Sequence, residues 1–383
     1  MAGVPLHHPR SVSLPIKPPK TAAGGGGCFF IKRISCALNP TKTPAASPIT
    51  AFHPDPPLVV VGSANADIYV EIQRLPRVGE TISAKAAQNL AGGKGANQAT
   101  CAAKLFYPTY FIGQVGRDAH GKLITDALDA GGVHLRYIKI VEDAPTGHAV
   151  VMLLSGGQNS IIIVGGANMS CWPSQLPADD LELVRNAGMV LLQREIPDWV
   201  NAQVAKVRLL VVDYLVANAS GQMAIMVARS AAVPVILDAG GMEGDIPEEL
   251  LNSVDILSPN ETELARLTGL PTETFEQVTE AASKCNKMGV KQVLVKLGSK
   301  GSALFVEGEN PIQQPIIPVS KVLDTTGAGD TFTAAFAVAS VEGKSRKECL
   351  KFAAAAASLC VQVKGAIPSM PDRKAVMELL QSV

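Results

Sequence analysis

From Leu58 onward, short apolar runs alternate with helical patterns along the chain. The first run, Leu58–Gly62, has the continuous apolar character of a strand that is buried on both faces. Strand–helix alternation of this kind predicts an α/β fold, a three-layer sandwich with a mainly parallel central sheet. The other runs that predict its strands are Tyr110–Val115, Met189–Leu192, Val235–Leu237, Asp255–Leu257, Val293–Leu297 and Ala303–Val306.

Two β-rich regions do not fit this alternation. The first includes the alternating segment Thr81–Ala86. In the second, Ala149–Leu154 and Ile161–Val164 flank a Ser-Gly-Gly-Gln-Asn turn, which is typical of a hairpin. The sequence therefore predicts a small β-sheet lid beside the main domain, built from about 66–86 and 147–164.

The first 54 residues contain no Asp or Glu, and Pro, Ser, Thr, Ala and Gly separate their basic residues. An acid-free, Ser/Thr-rich basic leader is typical of an organelle transit peptide, whereas a secretory signal needs a sustained apolar segment. Ile34–Ala37 resembles a plastid processing site with the cut after Cys36. We therefore expect a transit peptide over 1–36, a linker over 37–56, a folded domain over 57–383 and location in the chloroplast (plastid stroma). The alternative is a disordered N-terminal tail that carries no targeting signal.

Charge and hydropathy argue against two classes of partner. Of the 34 basic residues, five lie within 1–36, so the mature chain would carry 29 basic against 34 acidic residues. A net negative chain argues against nucleic-acid binding. No stretch approaches about 18 uncharged apolar residues, so we expect no membrane span. The seven cysteines are odd in number and scattered, which suggests reduced thiols.

The stretch Asp324–Phe332 combines a Gly-Ala-Gly turn with an acidic residue at the start of an apolar helical run. Backbone N–H groups left unpaired at such a turn form an anion-binding nest, reinforced by the positive end of the helix dipole. Gly327, Ala328 and Gly329 would form this nest. Asp330 would take a proton from a substrate hydroxyl, a pairing that suits phosphoryl transfer to an alcohol. An ordinary Asp N-cap after a glycine turn is the alternative.

A second glycine-rich stretch, Gly92-Gly93-Lys94-Gly95, fails as a P-loop because Gly95 stands where a Ser or Thr is needed. Its glycines instead suit the close approach of a small polyol, whose buried hydroxyls each cost about 1–3 kcal/mol if left unpaired. A plain turn with a solvated Lys is the alternative. A sugar pocket should collect amide, carboxylate and ammonium groups, and these are supplied by Asn65, Asp67, Lys94, Asn97 and Glu195.

Two further stretches follow predicted strands at the edge of the sheet where ligands of open α/β folds bind. Pro259–Glu263 opens a helix with carboxylates in its first turn, where Asn260 and Glu263 would either hold a hydrated Mg²⁺ or simply cap the helix. Lys296–Gly301 leaves its strand through two glycines, which gives a flat wall suited to a nucleotide.

Taken in chain order, six stretches form one pattern: Gly62–Asp67, Gly92–Asn97, Pro259–Glu263, Leu297–Gly301, Asp324–Phe332 and Lys364–Ser369. This pattern resembles that of the ribokinase-like (phosphofructokinase-B-type) family of sugar and nucleoside kinases. The resemblance covers about 58–383. It is most specific at Gly92–Asn97, because fructokinase-like relatives usually lack the Lys.

The resemblance implies an ATP-dependent kinase that phosphorylates D-ribose at O5. Asp330 would be the base, with Gly327, Ala328 and Gly329 as the anion hole for the migrating phosphoryl group. The residues implied to hold ribose are Asn65, Asp67, Gly92, Gly93, Lys94, Asn97, Glu195 and Asp330. Those implied to contact ATP are Asn260, Lys296, Leu297, Gly298, Ser299, Lys300, Gly301 and Gly329.

The resemblance also implies two cations and a homodimer that forms through the β lid. Glu263 would lie near Mg²⁺ through water, and K⁺ would act as a monovalent-cation activator. The K⁺ site would consist of the Asp324 and Ser369 side chains with the carbonyls of Thr326, Cys360, Val363 and Gly365. Two positions depart from the family pattern, since Ala354 stands where a His contacts the nucleotide and Lys296 stands where a Thr does.

Two alternatives stay open. One is a kinase for another pentose, a hexose or a nucleoside, which Lys94 disfavours. The other is a catalytically inactive kinase-like scaffold protein in the plastid. Such a scaffold should have lost Asp330 or its neighbouring glycines, and this chain keeps both.

Residues 207–226 are predicted to be an insertion. Between Glu195 and Asp238 the fold requires one helix and a returning strand, yet 42 residues intervene. With 207–226 removed, Gln203–Lys206 joins Val227–Ser230 and predicts one amphipathic helix that leads into the next strand. We interpret the segment as dispensable, such as an intron translated in frame; a genuine surface insertion is the alternative.

Overall fold

The computed structural model describes residues 55–154, 159–207 and 233–383. Its larger sheet is built around strand β1 (Leu58–Val61), whose residues are all buried. β1 runs parallel to both of its neighbours, β4 (Thr109–Gly116) and β8 (Met189–Arg194). An all-apolar strand belongs in the middle of a parallel sheet that is covered on both faces, which is where β1 lies.

The remaining strands of the larger sheet are β5 (Ile138–Val141), β9 (Val235–Gly241), β10 (Ile256–Ser258), β11 (Gln292–Lys296), β12 (Ser302–Val306) and β13 (Ile312–Gln314). The sheet has nine strands in the order β13-β12-β11-β10-β9-β8-β1-β4-β5. Neighbours from β11 to β5 are parallel, and only β12 and β13 join the edge antiparallel. The predicted mainly parallel sheet is confirmed.

Alternate residues of β1 belong to two different buried clusters. Leu58 and Val60 belong to the first cluster, and Val59 and Val61 belong to the second. Successive side chains of a strand point to opposite faces of the sheet, so the two clusters are the two cores of a sandwich.

Helices contribute to both cores, which confirms the predicted three-layer architecture. The first core takes side chains from Lys94–Lys104, Ala119–Ala130, Ala328–Val341, Arg346–Cys360, Ala366–Ser369 and Arg373–Gln381. The second takes them from Ala178–Arg185, Glu248–Leu251, Glu261–Thr268, Phe275–Lys287 and the helical residues 198–207.

A smaller, separate sheet contains β2 (Asn65–Ile72), β3 (Ala86–Gly92), β6 (Gly147–Leu154) and β7 (Asn159–Val164). Its strand order is β3-β2-β6-β7, in which β2 and β6 are parallel and the other pairs are antiparallel. The pairing of β6 with β7 is the hairpin that the turn chemistry predicts.

Strand β3 differs from the prediction. The segment Thr81–Ala86 has the alternation of a strand, but only Ala86 belongs to one, and that strand continues to Gly92. The register is set by pairing with β2, which places Ala86 opposite Glu71 and Gly92 opposite Asn65. Because Gly92 lies opposite Asn65, the helix Lys94–Lys104, which follows β3 in the chain, begins beside the start of β2.

Several predicted segments lie outside the described residues. They are the predicted transit peptide 1–36, residues 37–54 of the predicted linker, and 208–226 of the predicted insertion. Across the described ranges, no helix combines the length and the apolar character that crossing a membrane requires.

Candidate active site

Asp330 is a buried carboxylate in the first turn of the helix Ala328–Val341. Its Oδ2 accepts a hydrogen bond from Nδ2 of Asn97 at 2.9 Å, and its Oδ1 accepts one from Nε2 of Gln98 at 3.3 Å. Nζ of Lys94 lies 3.6 Å from the same Oδ1. The predicted base and the predicted sugar motif therefore meet, although 233 positions separate Asn97 from Asp330.

The amide of Asn97 keeps one polar atom for a ligand. Its Oδ1 is buried and has no hydrogen-bond partner among the described residues. A buried acceptor without a donor costs about 1–3 kcal/mol, which a ligand hydroxyl would offset. An acceptor without a donor therefore lies beside Asp330.

Gly327 precedes this helix with a φ of 79°, a left-handed conformation that favours glycine. The helix begins at Ala328, before the apolar run Phe332–Val341, and its N-cap makes no side-chain hydrogen bond. In the described part of the chain, the N–H groups of Gly329 and Asp330 have no backbone acceptor, whereas the N–H of Ala328 donates to the carbonyl of Thr325 at 3.2 Å. The prediction that Ala328 contributes a free N–H is therefore wrong, because the turn before the helix already uses it. The N–H groups of Gly329 and Asp330, at the positive end of the helix dipole, are the donors that an anion could bind.

Glu195, which follows β8, is an acceptor for three separate elements. Its Oε2 accepts hydrogen bonds from Oγ of Ser63 at 2.5 Å, from the backbone N–H of Lys94 at 3.1 Å and from Nδ2 of Asn65 at 3.4 Å. Burial raises the pKa of Glu195 above its ordinary value, against the opposing effect of Lys94. This carboxylate holds the end of β1 and the start of the Lys94–Lys104 helix together.

The orientation of Asn65 is fixed by a residue that the sequence did not single out. Nδ2 of Asn168 donates to Oδ1 of Asn65 at 2.7 Å and to the carbonyl of Ala64 at 3.1 Å, and its Oδ1 accepts from the N–H of Ala64 at 2.9 Å. Ser63 lies within the predicted Gly62–Asp67 motif, but no motif surrounds Asn168. Only the fold brings Asn168 to this place.

Asp67 lies against the glycine pair Gly92-Gly93. A Cβ at Gly92 would lie 2.1 Å from Oδ2 of Asp67, so only glycine admits this carboxylate. Gly93 is the N-cap of the Lys94–Lys104 helix. Burial, followed by the nearby charges of Glu195 and Asp330, raises the pKa of Asp67 to about 7.

Asp238 is a further site residue that the motifs did not reveal. It lies in the middle of β9, opposite the last residue of β10, is wholly buried, and accepts hydrogen bonds from Nζ of Lys94 at 3.2 Å and from Nζ of Lys296 at 2.6 Å. Burial alone would raise its pKa, but Lys296 and Lys94 outweigh burial and hold the pKa well below the ordinary value. Its place directly after the apolar run Val235–Leu237 was the available signal.

Asn260 and Glu263 form a capping box at the start of the helix Glu261–Thr268. The N–H of Glu263 donates to Oδ1 of Asn260, and the N–H of Asn260 donates to Oε2 of Glu263, both at 2.8 Å. The structure thus shows the capping arrangement that the sequence left as an alternative. Oε1 of Glu263 instead adjoins Gly240, whose Cβ would lie 2.7 Å from it and 2.6 Å from Nζ of Lys94.

A hydrated Mg²⁺ fits this environment. Within the described ranges, no group of three or more His, Cys, Asp or Glu side chains could hold a metal directly. Mg²⁺ usually keeps several waters and binds few protein groups, so a single carboxylate oxygen such as Oε1 of Glu263, whose other oxygen caps the helix, suits a hydrated ion.

The segment Lys296–Gly301, which is predicted to contact ATP, leaves β11. Leu297 is buried in the second core, and Gly298–Lys300, with Ser299 between them, forms a single 3₁₀ turn that ends at Gly301. Nζ of Lys300 is held by Oε1 of Glu261 at 3.0 Å. Lys296 turns the other way, toward Asp238, so the two lysines of this segment face different surroundings.

The six residues implied for a K⁺ site come together behind the helix start. The Oδ1 and Oδ2 atoms of Asp324 accept hydrogen bonds from the N–H groups of Thr326 and Gly365, each at 2.9 Å. Sγ of Cys360 lies 3.0 Å from Oγ of Ser369 and 3.8 Å from the carbonyl of Thr326.

Further contacts complete this loop. Val363 donates its N–H to the carbonyl of Cys360 at 3.1 Å. Oγ1 of Thr326 is buried without a hydrogen-bond partner in the described part of the chain. Neutral and acidic oxygens gathered in this way suit a hard cation.

The fold and the site define a small-molecule kinase of the α/β class, in which a buried carboxylate at a helix start with two unpaired backbone N–H groups adjoins a cluster of polar side chains. The pfkB family carbohydrate kinase profile matches residues 56–373, so this chain belongs to the pfkB family of carbohydrate kinases. The family resemblance predicted from the motifs is confirmed.

Known proteins of this family resemble the chain closely. Over 328 residues it is 70% identical to a ribokinase of Arabidopsis thaliana, and this alignment covers 85% of this chain and 81% of that relative. Over 323 residues it is 35% identical to a ribokinase of Bacillus subtilis, and this alignment covers 84% of this chain and 99% of that relative. The structure of Arabidopsis thaliana ribokinase complexed with ribose and ATP matches with a TM-score of 0.77 and 70% identity, covering 85% of this chain and 99% of that chain.

Proposed function

We propose that this protein is an ATP-dependent kinase that phosphorylates D-ribose at O5 and yields D-ribose 5-phosphate and ADP. The observation that carries the proposal is the contact of Asp330 with Asn97 and Lys94, because it joins a base to a polyol site. The 70% identity to a ribokinase, and the match to a ribokinase complexed with ribose and ATP, support the choice of both substrates.

The reaction uses groups that are already in place. Asp330 accepts the proton of the O5 hydroxyl, and O5 forms a bond to the γ-phosphorus. The bond from that phosphorus to the bridging oxygen breaks, and ADP leaves with the electron pair. The N–H groups of Gly329 and Asp330 donate to the migrating phosphoryl group, whose negative charge they stabilise.

The sugar is held by the polar groups around Asp330. Asn65, Asp67, Lys94, Asn97 and Glu195 offer donors and acceptors to its hydroxyls. A pocket built to bind hydroxyl groups rejects an analogue that lacks one, because the buried partners are then left unpaired.

Two cations take part. Glu263 would hold Mg²⁺ through water, and the bound ion would supply positive charge to the ATP phosphates. Asp324, Thr326, Cys360, Val363, Gly365 and Ser369 would hold K⁺, which would order the loop before the helix start. The clustering of these residues around the Asp324 carboxylate supports the K⁺ site.

The assay is ADP release with D-ribose and Mg-ATP, on the full chain and on the chain from Ala37. A panel with 2-deoxyribose, fructose and adenosine separates this proposal from a kinase for another substrate. If ADP is released with only one of those compounds and not with ribose, that compound is the substrate. No ADP release with any of them would favour the inactive scaffold.

The protein forms a homodimer through the lid. In β7, an edge strand of the smaller sheet, Ile161, Ile162, Ile163 and Val164 are 42–56% exposed. Consecutive exposed apolar residues leave both faces of an edge strand uncovered, which natural proteins avoid unless a partner covers them. Analytical ultracentrifugation of the wild type and of Ile162→Lys tests this, and a monomeric wild type would refute it.

The protein resides in the plastid stroma. The support is the acid-free basic composition of residues 1–54. A fluorescent fusion of residues 1–54 should enter plastids, and a fusion that stays in the cytosol would contradict this location.

A further inference from the structure

Asp238 receives donors from four directions. Nζ of Lys94 and the N–H of Gly240 reach its Oδ1 at 3.2 and 3.0 Å. Nζ of Lys296 and Oγ1 of Thr333 reach its Oδ2 at 2.6 and 3.3 Å. Both carboxylate oxygens are thus fully engaged within the protein. This pattern is that of a group that holds others in place.

The two lysines come from opposite sides of the site. Lys94 belongs to the predicted sugar motif, and its Nζ lies 3.6 Å from Oδ1 of Asp330. Lys296 ends β11 on the predicted nucleotide side, and its Nζ lies 3.8 Å from the position of a Cβ on Gly329. One ammonium group therefore borders the base, and the other borders the anion nest.

The two ammonium groups differ in the carboxylates around them. Lys94 faces Asp330, Glu263 and Glu195 besides Asp238, whereas the carboxylate paired with Lys296 is that of Asp238. The side chains of Lys94 and Lys296 are only 23% and 12% exposed, so water screens these charges weakly. A phosphoryl group bound at Gly329 would face Lys296 directly.

We propose that Asp238 is a positioning residue that holds Lys94 and Lys296 on either side of the migrating phosphoryl group, and that Lys296 contacts the γ-phosphate. This rests on the proposed kinase function. A buried lysine without a counter-charge loses its proton or turns to solvent. Asp238 prevents both, so the two charges are in position before the reaction begins.

Lys296→Met tests the contact with the γ-phosphate. We expect kcat to fall about 10- to 1,000-fold, as when a group that stabilises transition-state charge is removed. Binding of the β,γ-imido analogue of ATP should weaken about 10-fold, while ADP binding changes less than about 2-fold, because ADP lacks the γ-phosphate. Lys296→Arg keeps the charge and should recover part of kcat.

Asp238→Asn tests the positioning. It should lower kcat and also move the alkaline limb of the pH profile of kcat to lower pH, because Asp238 is one of the charges that raise the pKa of Lys94, and Lys94 without it loses its proton more easily. A purely structural role would not move that limb. The double variant Asp238→Asn/Lys296→Met should lose no more than about 3-fold beyond the worse single variant, since the two residues act as one unit.

Lys291→Met is the matched control. Lys291 precedes the other end of β11, where its exposed ammonium pairs with Asp255 at the surface, and the substitution should change none of these quantities. An unchanged kcat and an unchanged analogue-to-ADP affinity ratio in Lys296→Met would overturn the inference. If Asp238→Asn does not fold, the two Lys296 variants decide. If the wild type releases no ADP with D-ribose, the kinase proposal fails, while the two nucleotide affinities still decide this inference.

Discussion

Asn97 donates a hydrogen bond from Nδ2 to Oδ2 of Asp330 at 2.9 Å, and this contact joins the Gly92–Asn97 motif to the Gly-Ala-Gly-Asp turn. The amide orients the carboxylate and keeps its own Oδ1 unpaired among the described residues. A sugar hydroxyl that binds Oδ1 therefore lies beside the carboxylate that would deprotonate it. The base and the sugar pocket form one structural unit.

Asp330→Asn should lower kcat about 100- to 10,000-fold, which is typical of losing a general base. The amide keeps the shape of the carboxylate and an oxygen that accepts from Asn97, so we expect the fold and ribose binding to persist. Steady-state ADP release, isothermal titration with ribose and thermal unfolding measure the three quantities. Asp126→Asn, an exposed aspartate paired with Lys122, is the control. Near-normal turnover in the Asp330 variant would refute the assigned base.

The pKa of Asp67 makes the stability of the ligand-free protein depend on pH. In the folded protein its pKa is about 7, against 3.8 without the fold, because burial disfavours the charged form. The folded state therefore binds this proton more tightly, and the stabilisation is lost as pH rises from about 4 to about 7. Asp67→Asn removes the penalty, so above pH 7 the variant should be more stable by roughly a few kcal/mol.

Urea unfolding of the wild type and of Asp67→Asn at several pH values from 4 to 8 gives this difference. It should be small near pH 4 and grow toward pH 7, and two parallel curves would show that Asp67 does not titrate in this range. The same substitution should weaken ribose binding, because a carboxylate that faces the sugar is lost. Stability gained at the expense of binding is typical of a functional site.

The sequence alone predicted those parts of the structure whose conformation depends on a single short segment. The apolar run at β1 predicted a buried parallel strand, and the turn at Gly327–Gly329 predicted the start of a helix, although the N–H of Ala328 is paired with Thr325. The sequence did not reveal the role of Asp238, because a single Asp after an apolar run is common and its two lysine partners belong to distant elements. Asn168 was missed for the same reason, since its partners are distant in the chain.

Two other differences have physical causes that a linear pattern does not show. The alternation of Thr81–Ala86 fits a strand, but the register of β3 is decided by its pairing with β2. Asn260 and Glu263 satisfy the free N–H groups of a helix start, and the same side chains suit a hydrated cation. Sequence alone could not separate these two uses.

Potassium should activate the enzyme through Asp324. The carboxylate bonds the N–H groups of Thr326 and Gly365, so it ties together the two loops that would enclose the ion. Rates in K⁺ buffer should exceed those in Na⁺ or Li⁺ buffer, and Asp324→Ala should abolish the difference. Asp179→Ala, at an exposed position on the helix Ala178–Arg185, is the control. Equal rates of the wild type in all three salts would refute activation by potassium.

Deleting residues 207–226 should leave an active and more soluble enzyme. β8 and β9 are parallel neighbours, with Val190 opposite Val235, so their connection needs little more than one helix. The helical residues 198–207 already bury Val200 and Val204 in the second core.

Val207, the first residue of the predicted insertion, is helical and buried in the second core. Joining Lys206 to Val227 would put a valine back at this position and let the helix lead directly toward β9. The removed segment carries the apolar run Leu209–Val212, and apolar stretches rich in valine promote aggregation when they have no partner. Expression of the chain with and without 207–226, followed by soluble yield, thermal unfolding and ADP release, makes the comparison. If the shortened chain is insoluble or inactive while the full chain works, residues 207–226 are a structural part of this enzyme.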